Sequence, residues 1–335
     1  NESLYLRTND LIVKKVICSA TASCSFQNAE KYTRINFEAK NSAQESTQLE
    51  IVFAYPEQRA KRILFKKNVE WEKGELIAPY MPGKYHETLF TLQIPKAYMP
   101  VSNATLKSEN NRYSQNIFNY SFSQPIPTLT LVAAKYSRKE FRRQLSPVTI
   151  YYRDLDDYEV GKINLLATHI LGYFTQKTRI NFLKDLTLFE ADGEALGDFG
   201  DDIVALQGIK THELNPIRVF SLVCDITQKR FARLIPKTNP HKMLIQESLS
   251  LLAAFHYMQE NYPTSELENL IHFYQKSYFQ GLDNKIYSDE PLSSSHSREL
   301  IRSKGAAFFH MLLEQHIHPF FWDRYFSLIA SKKEI

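Results

Sequence analysis

The chain has 335 residues, 43% of them hydrophobic and 13% aromatic, which is enough apolar material for two domains with sizeable cores and argues against disorder. Its 41 basic and 37 acidic residues leave a net charge of +4, too small and too dispersed for a nucleic-acid footprint. Glycine is scarce, with ten residues. No G-x-x-x-x-G-K-[ST] or G-x-G-x-x-G run is present, which removes the phosphate-loop routes to nucleotide binding.

No apolar run approaches the roughly 20 residues needed to span a bilayer, so no membrane-spanning segment is expected. The first residue is Asn1 and not Met, which fits either a removed leader or a trimmed chain. Cys18 and Cys24 flank Ser-Ala-Thr-Ala-Ser in a β-like region. They either close a small disulfide loop, which favours an exported or periplasmic location over a cytoplasmic one, or remain two reduced core cysteines. Asn103-Ala-Thr and Asn119-Tyr-Ser match the glycosylation triplet, a pattern common enough by chance to decide nothing.

In chain order, the first part reads as β. The segments 34–39, 48–54, 88–94 and 128–133 are short, partly alternating and separated by Pro, Asn, Ser and Gly, as strands of a sandwich are. A strand at 148–152 leads through Asp154 to Asp157 into a helix over about 160–177, where Ile163, Leu166, Ile170 and Phe174 recur at helical spacing. Two further strands are expected around 185–189 and 202–206. Helices then dominate: 215–235 with Pro216 in its first turn, a second from Pro240 to about Tyr262, a third after Pro263, and a fourth over 298–315 beyond the polar stretch Pro291 to Ser297. Basic groups such as Lys135 to Lys139 with Arg142 and Arg143, or Lys229-Arg230 with Arg233, read as solvated faces. The expected architecture is α+β, with a β-sandwich-like domain over residues 1–145 and a second domain over 146–335 whose second half is mainly helical.

One spacing carries chemistry. Cys224-Asp225-Ile226-Thr227-Gln228 lies in a helix, and Glu247 follows on the next helix. A peptidase zinc site reads H-E-x-x-H, with two imidazoles one helical turn apart, and its third ligand can be a Glu on the following helix. Later in the chain stands Ser303-Lys304-Gly305-Ala306. Together with the segments Tyr85 to Asn103 and Phe118 to Ala133, this arrangement resembles the N-terminal and catalytic domains of the aminopeptidase-N-like (gluzincin) zinc metallopeptidases. The resemblance implies an antiparallel N-terminal domain followed by a thermolysin-like α/β domain. Residue by residue, it sets Cys224 where the first His ligand stands, Asp225 at the general-base Glu, Gln228 at the second His, Glu247 at the third ligand and Arg302 at the Tyr that stabilises the tetrahedral intermediate. The G-A-M-E-N element that holds a substrate amino terminus would fall between Ala191 and Asp201, where the sequence does not match it.

Four of these five positions are changed, and the changes can be weighed chemically. A peptidase zinc needs three protein ligands and an open position for water. Glu247 alone cannot supply that, Gln228 is a poor zinc ligand, Asp225 is a methylene shorter than a Glu base, and Arg302 brings a fixed charge in place of a phenol. Cys224 is read as a core thiol and not as a nucleophile. His212-Glu213 opens like a zinc motif but meets Pro216 at the second-ligand position, and His241, His256, His310, His316 and His318 are read as unrelated. Glu247 is expected either to be neutralised by Arg302, Lys229 or Arg230, or to line a solvent-filled vestigial cleft.

The function expected is that of a non-catalytic pseudopeptidase without metal or other cofactor, serving as a scaffold or interaction subunit beside other protein subunits. A peptide-binding protein that keeps the cleft, and a metallopeptidase with a rebuilt site, are the alternatives. Phe320, Phe321, Trp322 and Tyr325, in an aromatic-rich C-terminal stretch, are the candidate interface residues.

Overall fold

The computed structural model describes residues 2–7, 12–18, 22–29, 32–39, 49–54, 69–71, 88–123, 129, 131–142, 146–178, 182, 185–191, 202–207, 214–232, 235, 241–283, 300–305 and 324. The chain divides into two compact units, the first comprising Asn1–Ser137 with Ala195–Phe199 and the second Arg138–Glu194 with Gly200–Ile335.

The first unit is built from antiparallel strands: β1 Glu2–Arg7, β2 Ile12–Cys18, β3 Ala22–Asn28, β4 Tyr32–Ala39, β5 Leu49–Ala54, β6 Val69–Trp71, β7 Thr88–Pro95, β8 Met99–Ser102, β9 Thr105–Asn111, β10 Gln115–Phe122 and β11 Leu131–Ala134. They pair in the orders β1-β4-β3, β2-β5, β7-β10-β9 and β6-β11-β8. The central strand β10 sets the local core, where Phe118, Tyr120 and Phe122 alternate onto one face with Ala104 and Leu129 and receive Phe90, Leu92 and Ile94 from β7. Its partner β9 is exposed along its whole length and carries Lys107 and a register shift opposite Asn119 and Tyr120, two devices that blunt a sheet edge. The open question at the amino-terminal end is resolved: Cys18 at the end of β2 is disulfide-bonded to Cys24 in β3.

The second unit opens with β12 Ser137–Phe141 and β13 Val148–Tyr152, followed by helix α1 Asp157–Thr178, β14 Leu186–Ala191 and β15 Ile203–Gln207, in the sheet order β12-β13-β14-β15. The last three strands run parallel, with Val148 opposite Leu186 and Leu188 opposite Val204, so α1 is a crossover helix on the sheet. It starts in a capping box: Asp156 Oδ1 accepts the Tyr158 and Glu159 amides, and Glu159 Oε2 accepts the Asp156 amide at 2.9 Å. Val160, Ile163, Ala167, Ile170, Leu171 and Phe174 form its buried face. At the β13–α1 turn, buried Glu190 on β14 accepts the backbone amides of Arg153 and Asp154 at 2.7 and 2.9 Å.

Three further helices complete this unit: α2 Pro216–Phe231, α3 Lys242–Asn261 and α4 Thr264–Asp283. Asn215 caps α2 by accepting the Arg218 amide at 3.0 Å, and Pro216 occupies the first turn, where a missing N–H costs nothing. The helix is shorter than the expected 215–235, ending at Phe231. Pro263 separates α3 from α4, since the residue before a proline leaves the helical region and Tyr262 is extended. A further helical segment covers residues 300–305. Helices α2, α3 and α1 bury Phe220, Val223, Ile226, Phe231, Leu251, Phe255 and Phe174 with the strand residues Ile150, Leu188 and Leu206 in one core.

On the other side of α3, a polar cluster joins it to α1. Tyr173 Oη and Lys177 Nζ donate to the two carboxylate oxygens of Glu260 at 2.9 and 2.7 Å. His256 Nε2 lies 3.3 Å from Glu260, and the Tyr257 hydroxyl meets His169 Nδ1 at 2.7 Å. Three residues of the basic group on and just after β12 are ion-paired in this unit: Arg138 and Arg142 with Glu140, and Lys139 with Asp157 at 3.0 Å.

Candidate functional site

Cys224, Asp225 and Gln228 lie on α2, where Cys224 and Gln228, one turn apart, both meet the adjoining helix and Asp225 stands beside them. Glu247 lies one turn into α3, which packs along α2, and Arg302 comes from the segment 300–305. All five positions converge. Glu247 is fully buried, and both of its oxygens are engaged: Oε1 accepts from the Gln228 amide, and Oε2 accepts Arg302 Nε–H at 2.9 Å. The same guanidinium donates through Nη2 to Asp225 Oδ1 at 2.7 Å. The Cys224 thiol, 1% exposed, is turned to the Ser250 carbonyl of α3 at 3.9 Å.

The electrostatics follow from this geometry. Burial by itself would lower the pKa of Arg302, but the Asp225 and Glu247 carboxylates, with the Cys224 side chain, outweigh it and hold the guanidinium well above its ordinary value. A sixth group escaped the sequence reading. Tyr274 of α4 is half-buried beside the cluster, and its phenol is pushed up first by burial and then by Cys224, Asp225 and Glu247, with Arg302 opposing. No motif marks it, because it stands on a third helix with no fixed spacing from the other five.

Of the cations that could neutralise Glu247, it is Arg302 that does so. Arg230, 3% exposed, points instead to Asp202, with which it is ion-paired, and to the Asp185 carbonyl at 3.4 Å, tying the end of α2 to the starts of β14 and β15. His241 and His256 stand at opposite ends of α3, fifteen residues or roughly 22 Å apart at the helical rise, and cannot meet at one ion. His212, Glu213, His310, His316, His318, the stretch corresponding to the substrate-anchoring element and the interface candidates Phe320, Phe321, Trp322 and Tyr325 lie outside the described residues.

The donor set does not suit a zinc ion. Such an ion takes three or four of imidazole, thiolate or carboxylate, with the ligands free to face it. Here the Glu247 carboxylate is saturated by an amide and a guanidinium, Asp225 faces the same guanidinium, and the thiol faces a backbone carbonyl. A dication placed among them would sit against a permanent positive charge. Among the described residues, no group of three or more His, Cys, Asp and Glu is arranged to hold a metal.

The sequence matches no protein-family model and no curated protein. Solved structures do share its fold. An M1 zinc metallopeptidase from Deinococcus radiodurans aligns over 99% of this chain and 80% of its own, with a TM-score of 0.60 and 9% identity. A mutant of that enzyme in which a glutamate is replaced by alanine, bound to the substrate Tyr-Ser-Ala, aligns over 98% and 78%, with a TM-score of 0.59 and 8% identity. A two-domain M1 zinc metallopeptidase mutant bound to L-tryptophan gives a TM-score of 0.57 at 9% identity over 98% and 79%. The chain therefore has the fold of the M1 zinc metallopeptidases, with antiparallel sheets in its N-terminal part and helices in its C-terminal part.

Proposed function

We propose that this protein is a non-catalytic pseudopeptidase that works as a scaffold or interaction subunit of a larger protein assembly. The observation that supports the reading is the seat of Arg302, bonded to both carboxylates where a peptidase of this fold needs a metal and its water. Hydrolysis requires a polarised carbonyl and an activated water. A guanidinium that is already spent on two carboxylates offers neither. The scaffold role draws on the aromatic-rich C-terminal stretch, because aromatic anchors concentrate binding energy at interfaces.

The test has two arms on the purified full chain. Aminoacyl and peptide substrates are expected to show no chelator-sensitive turnover, and elemental analysis to show no stoichiometric zinc. In a pull-down from the native source, the intact chain is expected to retain partners that a folded Phe321→Ala/Trp322→Ala variant loses. About one zinc per chain together with a chelator-sensitive peptidase rate would refute the non-catalytic reading. A folded variant that keeps every partner removes the C-terminal stretch from it.

A further inference from the structure

We infer that Arg302 replaces a metal ion structurally: it is a tethered cation that fastens α2, α3 and the segment 300–305 together, and the fold of this region is complete without zinc. The inference deepens the non-catalytic reading and rests on it. Three observations converge.

The first is topological. A zinc ion with ligands on two successive helices joins those helices, and Arg302 makes the same kind of join through Asp225 on α2 and Glu247 on α3. The second is geometric. The guanidinium presents its N–H groups as a rigid planar fork, and here two different nitrogens, Nε and Nη2, serve two carboxylates on two helices at 2.9 and 2.7 Å. A lysine ammonium is a point charge and lacks that fork. The third is the charge requirement. Glu247 has no exposure to solvent, and a buried carboxylate without a partner is expensive. Arg302 and Gln228 satisfy both of its oxygens, so the positive charge that a metal would bring is already present and hydrogen bonds stand where coordination bonds would be.

A tethered cation differs from a metal in ways that can be measured. It cannot be chelated, it is not displaced by an added metal, and its affinity for the site is set by the chain itself. Thermal unfolding of the full-length protein reads these differences. The wild type is expected to keep its Tm with a strong chelator or with added zinc chloride. Arg302→Ala should lower the Tm by roughly 10 °C, because one partner of a buried pair is removed and the other stays charged. Arg302→Lys should recover only part of that loss. The triple variant Asp225→Asn/Glu247→Gln/Arg302→Met removes all three charges of the cluster and keeps a hydrogen-bonding side chain opposite Gln228. It should unfold at a higher temperature than Arg302→Ala.

If Arg302→Ala yields no folded protein, the triple variant decides: its folding supports the inference and its failure to fold overturns it. A wild-type Tm that falls on chelation overturns the inference, as does an Arg302→Ala variant as stable as the wild type. The last result leaves the non-catalytic reading standing, whereas peptidase turnover would sink that reading whatever the unfolding data show.

Discussion

At the scale of single residues, the site is a set of contacts that support one another. Gln228 turns its amide to one oxygen of Glu247, and Arg302 takes the other. A change to one part therefore leaves the others in opposition. We expect the triple variant Cys224→His/Asp225→Glu/Gln228→His to gain zinc affinity, measurable by calorimetry. Its peptide turnover should remain at least about a hundredfold below that of a competent enzyme, because a missing oxyanion donor alone costs that much. Arg302 also stays in place beside Glu247 and competes with the ion. Efficient turnover by this variant would mean that Arg302 swings clear and that the anchoring of substrate lies elsewhere than supposed.

At the scale of elements, α1 and α3 are held by their apolar faces and by the Glu260 cluster. Burial raises the pKa of Glu260, but the hydrogen bonds from Lys177 and Tyr173 and the nearby charges of His256 and Lys177 outweigh it, so the carboxyl lies below its ordinary value of 4.5. A carboxyl depressed in the folded state adds stability that is fully present above its unfolded value, and this stability is lost as the pH falls through the folded value. Glu260→Gln should thus lower the urea midpoint at pH 7, and the gap between variant and wild type should close below about pH 4.5. A gap that persists unchanged at pH 3 would assign the effect to packing and not to charge. The side chain is partly exposed, so the difference will be modest.

At the scale of the whole molecule, the sequence discloses elements whose residues alternate or repeat and hides those that do not. Helix α1 is legible because Ile163, Ile170 and Phe174 mark one face, and β14 and β15 are legible as short apolar runs between polar turns. Strand β9, Thr-Leu-Lys-Ser-Glu-Asn-Asn, has no buried side, so no alternation betrays it, and only pairing with β10 makes it a strand. The site divides in the same way. Spacing alone brings Cys224, Asp225, Gln228 and Glu247 under notice, because the helical period is local. The choice of Arg302 over Arg230 as the partner of Glu247 depends on the packing of segments 55 residues apart, the arrival of Tyr274 depends on the packing of a third helix, and no local pattern encodes either. Cys18 and Cys24 could not be settled from spacing, because a separation of six permits a bridge without requiring it.

The burial of Cys224 gives the molecule a clock. With Cys18 and Cys24 bridged, it is the one of the three cysteines outside a disulfide, and its buried thiol faces a backbone carbonyl. A maleimide or an aromatic disulfide can then react only during moments when α2 and α3 part, so the labelling rate counts those openings against time. In the native protein the reaction should be slower by orders of magnitude than in urea. Arg302→Ala should speed it well before overall unfolding is seen by circular dichroism. A thiol that labels at the free-cysteine rate in native buffer would mean that the two helices are already apart for much of the time.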